Sequence, residues 1–314
     1  MIELGILVEP RHGMTYDQLL AMARTAEDSG LDMFFRSDHY QGTDASDETY
    51  QPTDSWVTLA GLARETSRVR LGTLMTAATF RLPGPLGVAV ATVDAMSGGR
   101  VELGIGTGWY EAEHHRFGIP FFSTKERFDR LEEQLAVITG LWRTPPGQRF
   151  SFEGRHYRVE ECFTFPRPAK GPPSIVIGGE GPRRTPRLVA RYAQEYNATL
   201  SDPPTVRRLF SRVSEVCEAE GRDPATLRLS VVAPRVSCGR NEAEVTRRRE
   251  ILGPRTGIIP DYGLHGTPDY LADRLAEWLK VGVSRIYIHY HDVTDLDQIQ
   301  LLGEEVAPRL RAAV

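Results

Sequence analysis

Three short stretches of this chain carry residues with chemistry to offer. Asp38 and His39 close the segment FRSDHY. A histidine at a strand end can donate a hydrogen bond or exchange a proton near neutral pH, and a neighbouring carboxylate can fix its tautomer or cap the next loop. His39 is therefore the candidate catalytic group, with Asp38 beside it. The run 97–121, SGGRVELGIGTGWYEAEHHRFGIPF, ends a strand in glycines and passes at once into aromatics and histidines. Gly106 and Gly108, with Thr107 between them, bare the backbone for something flat or bulky. Trp109, Tyr110 and His114 then offer stacking surface and titratable nitrogens. His114 and His115 are adjacent and cannot share a helix face, so one lines a pocket and the other lies on the surface.

The third stretch is GGEGPRRTPRL, 178–188. Gly178, Gly179, Glu180 and Gly181 run into a helix that opens near Pro182, with Arg183 and Arg184 in its first turn. Bare N–H groups, the positive end of a helix and guanidinium groups make a phosphate cradle. It is not the GxGxxG of a dinucleotide fold. No pair of histidines stands four apart, His289 and His291 flank Tyr290 without a carboxylate at metal-ligand spacing, and no metal is expected.

These residues need a frame that brings strand ends together. Short apolar runs at 3–8, 33–36, 69–75, 101–105, 174–177, 196–200, 229–233 and 285–290 alternate with helical periodicity. Capping signals start several helices: Thr15 with Gln18, Ser123 with Glu126, and Thr267 before Pro268. Eight strands each followed by a helix predict an α/β fold of the TIM (β/α)8 type, whose active sites lie at the C-terminal strand ends. Two stretches interrupt the rhythm, after strands 4 and 7. Residues 145–173 hold a small hairpin around Glu153 and Gly154, and 253–266 is a Gly- and Pro-rich loop; both are expected to cover the substrate.

The chain has 314 residues and 40% hydrophobic content, enough for one large core, so 1–314 reads as a single domain. A net charge of −4 gives no support to a nucleic-acid or anionic-membrane surface. The three cysteines show no CxxC spacing, which predicts a reducing, cytoplasmic setting. The first ten residues read as a strand rather than a signal peptide, and no apolar run is long enough to span a bilayer.

Together, FRSDHY, LGTLMTAATF, the 97–118 run and IVIGGEGPRRTPRLVARYA resemble the luciferase-like monooxygenase superfamily, over almost the whole chain. The resemblance is nearest to its branch of oxidoreductases dependent on the deazaflavin coenzyme F420. It implies a barrel holding a flavin or deazaflavin at its mouth, often as a homodimer. It also implies a non-proline cis peptide at Leu74–Met75 behind the ring, 106–110 lining the ring, and the cofactor phosphate on 178–181. Members that oxidise a sugar phosphate carry a glutamate directly after G-T-G, where this chain has Trp109. Lysine is scarce (Lys125, Lys170 and Lys280), so the usual clamp on a phosphorylated substrate is missing. The expectation is hydride transfer between F420 and a small, apolar or aromatic substrate. The alternatives are an FMN-dependent monooxygenase, served by a separate flavin reductase, and a non-catalytic flavin-binding barrel.

Overall fold

Along the strand Val101–Gly106 the side chains alternate between two destinations, and that alternation explains the architecture. Val101, Leu103 and Ile105 join the large apolar layer beneath the helices, while Glu102 points into a lumen where it meets Arg285. The computed structural model describes residues 2–10, 13–42, 52–163, 166–233, 235–251 and 264–313. In chain order the elements are β1 (Glu3–Val8), α1 (Tyr16–Asp28), β2 (Met33–Arg36), α2 (Ser55–Glu65), β3 (Arg70–Ala77), α3 (Pro83–Ser97), β4 (Val101–Gly106), α4 (Glu111–Arg116) and α5 (Thr124–Arg143). A hairpin of β5 (Arg149–Glu153) and β6 (Arg158–Phe163) follows, then β7 (Ser174–Gly178), α6 (Arg184–Tyr192), β8 (Glu195–Thr199), α7 (Pro203–Ala219) and β9 (Arg228–Ala233). The chain continues through β10 (Ser237–Cys238), α8 (Glu242–Ile251), β11 (His265–Gly266), α9 (Pro268–Leu279), β12 (Arg285–Tyr290), α10 (Leu296–Leu301) and α11 (Ala307–Ala312).

Strands β1, β2, β3, β4, β7, β8, β9 and β12 form one closed parallel barrel, the expected fold. Closure runs along the full length of β1, from Glu3 opposite Arg285 to Val8 opposite Tyr290. The outer apolar layer takes in the α1 stripe Leu19, Met22, Ala23 and Ala26. A smaller cluster that includes Leu7, Phe35, Val176, Val232 and Tyr287 fills the lumen. Thr15 and Gln18 form the predicted capping box, and Ser123 accepts from the Glu126 N–H.

Differences from the sequence reading have physical causes. β8 begins at Glu195, before the apolar run, because that carboxylate turns inward to Arg285. It ends before Leu200, which takes φ 50°. β3 runs on to Ala77 through a register shift between Thr73 and Thr76 against β4. The Leu74–Met75 peptide there is cis, where the resemblance placed it. α7 starts at Pro203, where Asp202 caps it by accepting from the Thr205 N–H. The two-stranded hairpin lies along α5, where Glu133 accepts N–H bonds from Arg155, His156 and Tyr157. Most of loop 253–266 lies outside the described residues. Among the described residues no helix is long and apolar enough to cross a membrane.

Candidate active site

A cavity of about 410 Å³ opens at the C-terminal ends of the barrel strands. Its lower wall is apolar, with Leu7, Leu74, Met75, Val232 and Leu200. One side is bare backbone. A Cβ added at Gly106 would meet nothing nearer than Met75 Sδ at 3.5 Å, and one at Gly179 nothing nearer than Thr185 Oγ1 at 3.7 Å. The space beside both is therefore open to a flat group. No lysine or arginine lines this cavity among the described residues.

His39 stands at the cavity edge after β2. Its Nδ1 donates to Oε1 of Glu113 at 2.8 Å, and the other Glu113 oxygen accepts from the Tyr40 N–H at 3.1 Å. The Glu113 side chain is 1% exposed and that of His39 20%. Trp109 meets the His39 ring edge-to-face, with centroids 5.8 Å apart, and is itself 58% exposed at the mouth. A second pair lies on the same cavity: His289 Nε2 donates to Oε1 of Glu9 at 3.1 Å, and Ser37 donates to Oε2 of Glu9 at 2.7 Å. His289 Nδ1 is buried without a hydrogen-bond partner among the described residues.

Asp38 does not hold His39. Both of its oxygens accept from Arg81, at 2.5 and 3.2 Å. Arg81 also reaches Asp54 at 2.6 Å and the Tyr40 hydroxyl at 3.0 Å, tying the strand-2 loop to α2. Burial pushes the Tyr40 hydroxyl up to about 12, although the Arg81 charge works against it. The Asp54 carboxyl is held below its usual range, because Arg81 and two backbone N–H groups outweigh burial.

The other predicted positions divide. Leu74, Met75, Gly106, Thr107, Gly108, Trp109, Gly178 and Gly179 all line the cavity. His114 does not: it is fully buried beneath the wall, donating from Nδ1 to the Tyr110 carbonyl and accepting at Nε2 from Thr79, both at 2.7 Å. Tyr110 turns away and donates to the Gly42 carbonyl at 3.0 Å. Glu180, Gly181 and Arg183 continue beyond the cavity wall. Arg184 is engaged by Asp129 at 2.6 Å and Glu132 at 3.3 Å, which removes it from a phosphate cradle. α6 nevertheless starts without a side-chain cap, leaving its first N–H groups available. Among the described residues, none of the hairpin expected to cover the substrate lines the cavity. Among the described residues no cluster of His, Cys, Asp and Glu is placed to hold a metal ion.

Glu113 and Glu9 escaped the sequence reading, whereas His289, set aside there as a metal ligand, lines the cavity. Glu113 lies 74 residues from His39, and its one signal was a carboxylate in a helix start otherwise given to aromatics and histidines.

The chain matches the family described as luciferase-like monooxygenase over residues 2–260. It is 30% identical over 325 residues to an F420-dependent glucose-6-phosphate dehydrogenase of Microbacterium testaceum, covering 94% of each chain. It is 33% identical over 213 residues to an F420-dependent hydroxymycolic acid dehydrogenase of Mycobacterium tuberculosis, covering 67% of this chain and 56% of that one. Among solved structures, an F420-dependent secondary alcohol dehydrogenase in complex with an F420-acetone adduct superposes with a TM-score of 0.83 at 18% identity, covering 99% of both chains.

Proposed function

The chain belongs to the luciferase-like monooxygenase family, and from that premise we propose that it is an oxidoreductase moving a hydride between coenzyme F420 and a small, neutral, apolar or aromatic alcohol or carbonyl compound. The observation that carries this reading is an apolar cavity without a cationic side chain among the described residues, edged by a histidine backed by a buried carboxylate. The residues fit the coenzyme. Gly106 and Gly179 leave open space for the face of a flat ring, and the unpartnered His289 Nδ1 is a polar atom that a ring heteroatom would satisfy. The uncapped start of α6, with Arg183 beside it, suits a phosphate. When bound, the deazaflavin supplies a carbon that accepts or gives a hydride.

The protein's own groups do the rest. His39 accepts the hydroxyl proton during oxidation or returns it to a carbonyl oxygen during reduction. The apolar wall excludes water from the reacting carbon and favours an uncharged substrate. Relatives named for glucose-6-phosphate differ here in substrate. Trp109 stands where sugar-phosphate oxidisers carry a glutamate, and Lys125 and Lys280 are tied up in ion pairs with Asp129 and Glu277. A reducing cytoplasm suits the three free cysteines.

Paired fluorescence titrations with F420 and FMN test the cofactor. Tight F420 binding with weak FMN binding supports the reading, and the reverse preference replaces it with oxygen-dependent flavin chemistry. In the F420-loaded enzyme, His39→Asn is expected to lower turnover roughly 10²–10⁴-fold. Near-normal turnover in that variant ends the assignment of His39.

A further inference from the structure

We propose that Glu113 is a positioning residue that holds His39 as a proton acceptor toward the cavity. This deepens the function proposed above and rests on it for the identity of the reaction. The geometry leaves Glu113 little freedom. Its carboxylate is 1% exposed, and one oxygen is fixed by the Tyr40 backbone N–H at 3.1 Å, a donor that cannot titrate. The other oxygen lies 2.8 Å from His39 Nδ1. An ionised carboxylate only accepts, so Nδ1 must carry the hydrogen. A neutral imidazole has one N–H, and Nε2 is therefore left with its lone pair. Among the described residues Nε2 has no hydrogen-bond partner, and the ring lines the cavity.

The consequence is directional. During alcohol oxidation the O–H proton passes to Nε2 and the electrons of that O–H bond become the new C=O bond. The C–H hydrogen leaves with its electron pair to the oxidised deazaflavin. The imidazolium so formed keeps its Nδ1–H on Glu113, whose buried carboxylate stabilises the new positive charge. In the reverse direction the same imidazolium returns the proton to the carbonyl oxygen as the hydride arrives.

Tyr40 makes a purely structural role for Glu113 conceivable, and the test separates the two. A glutamine at 113 can still accept from the Tyr40 N–H, but its amide nitrogen would then donate to Nδ1 and force the hydrogen onto Nε2. The ring-nitrogen chemical shifts of 15N-histidine-labelled protein, without coenzyme, report the tautomer directly. His39 is assigned by the signal missing in His39→Asn. The expected result is the Nδ1–H tautomer in the native protein and the Nε2–H tautomer in Glu113→Gln. In the F420-loaded enzyme that variant is expected to lose about 10²–10⁴-fold in kcat, with KM changed less than about threefold. Glu113→Asp, which retains the carboxylate, is expected to recover part of the loss.

An Nε2–H tautomer in the native protein overturns the proposal, as does an unchanged tautomer in Glu113→Gln. Because the spectra need no coenzyme, failure of F420 to bind would remove the proposed function without touching this result.

Discussion

At the floor of the barrel Arg285 has no exposed side-chain surface and is shared by Glu102 at 2.6 Å and Glu195 at 2.7 Å, with the Tyr287 hydroxyl donating to Glu195 at 2.9 Å. Arg70 pairs with Glu102, and Glu3 takes the Arg285 Nε at 2.5 Å. Each charge there is answered by another charge. At the mouth, His39 and His289 each give one ring nitrogen to a carboxylate and keep the other without a hydrogen-bond partner among the described residues. Both regions bury polar groups at a cost in desolvation, and both offset it by pairing. The floor completes the pairing within the protein. The mouth leaves it incomplete on the side that faces a ligand, and incompleteness is what makes a polar group useful for chemistry.

The largest expected effect breaks the floor. Arg285→Leu leaves Glu102 and Glu195 buried against one another, and removing one partner of a buried ion pair costs about 3–5 kcal/mol. Urea unfolding should show that loss, or the variant should fail to accumulate as folded protein. His39→Asn should stay within about 1 kcal/mol of the native midpoint, because that ring is partly exposed and the asparagine amide can still donate to Glu113. If Arg285→Leu unfolds at the native midpoint, the floor is not the closed network described here.

The same contrast explains what the sequence made legible. The barrel was readable because the outward residues of the strands are apolar and alternate; β1, β2 and β12 have the bounds that pattern predicts. The floor was not, because Glu102, Glu195 and Arg285 are far apart in the chain and look like the polar half of an ordinary alternation. At the mouth, bare glycines and a strand-end histidine are local signals, and His39, Gly106, Gly108 and Gly178 were found by them. The partner of His39 was left open between two roles for Asp38. Proximity along the chain offered Asp38, but Arg81 claims that carboxylate and Glu113 reaches His39 from α4. His114 was placed in the pocket because, beside His115, only one of the two can face it; the helix instead directs it inward to Thr79.

A second effect is acid sensitivity, where the floor should again exceed the mouth. Burial works to raise the Glu102 carboxyl, but Arg285 and Arg70 overcome it and hold it at about 2, against an ordinary 4.5. A carboxyl depressed in the folded state adds stability that is complete above 4.5 and disappears as pH falls toward 2. Glu195 has the opposite sign: burial raises it, Arg285 opposes, and the Glu102 charge raises it further. It weakens the fold when ionised, and this weakening is relieved as it takes up a proton. Lowering the pH from about 5 to about 2.5 should therefore cost the native protein about 1–3 kcal/mol through the floor. Glu195→Gln should steepen that loss and Glu102→Gln should flatten it, read as urea midpoints at the two pH values. Asp54→Asn at the mouth should change the slope less, since Asp54 is more exposed. Equal slopes in all three variants would remove the electrostatic distinction between the regions.

The smallest effect sharpens the distinction within the mouth itself. Trp109 has neither a charge nor a buried partner to satisfy; its indole is 58% exposed and touches His39 only edge-on at 5.8 Å. Truncating it should leave the fold unchanged and the His39–Glu113 pair intact. An aromatic contact at a half-open site is worth about 0.5–1.5 kcal/mol, so Trp109→Ala should raise KM for an aromatic alcohol roughly 3- to 10-fold. The same change should leave kcat within about twofold, because the proton still moves to a correctly held imidazole. A KM for a short aliphatic alcohol that moves little would place Trp109 on the substrate. If kcat instead falls as far as in His39→Asn, the edge-on contact positions the ring, and Trp109 belongs with Glu113 among the groups that hold His39.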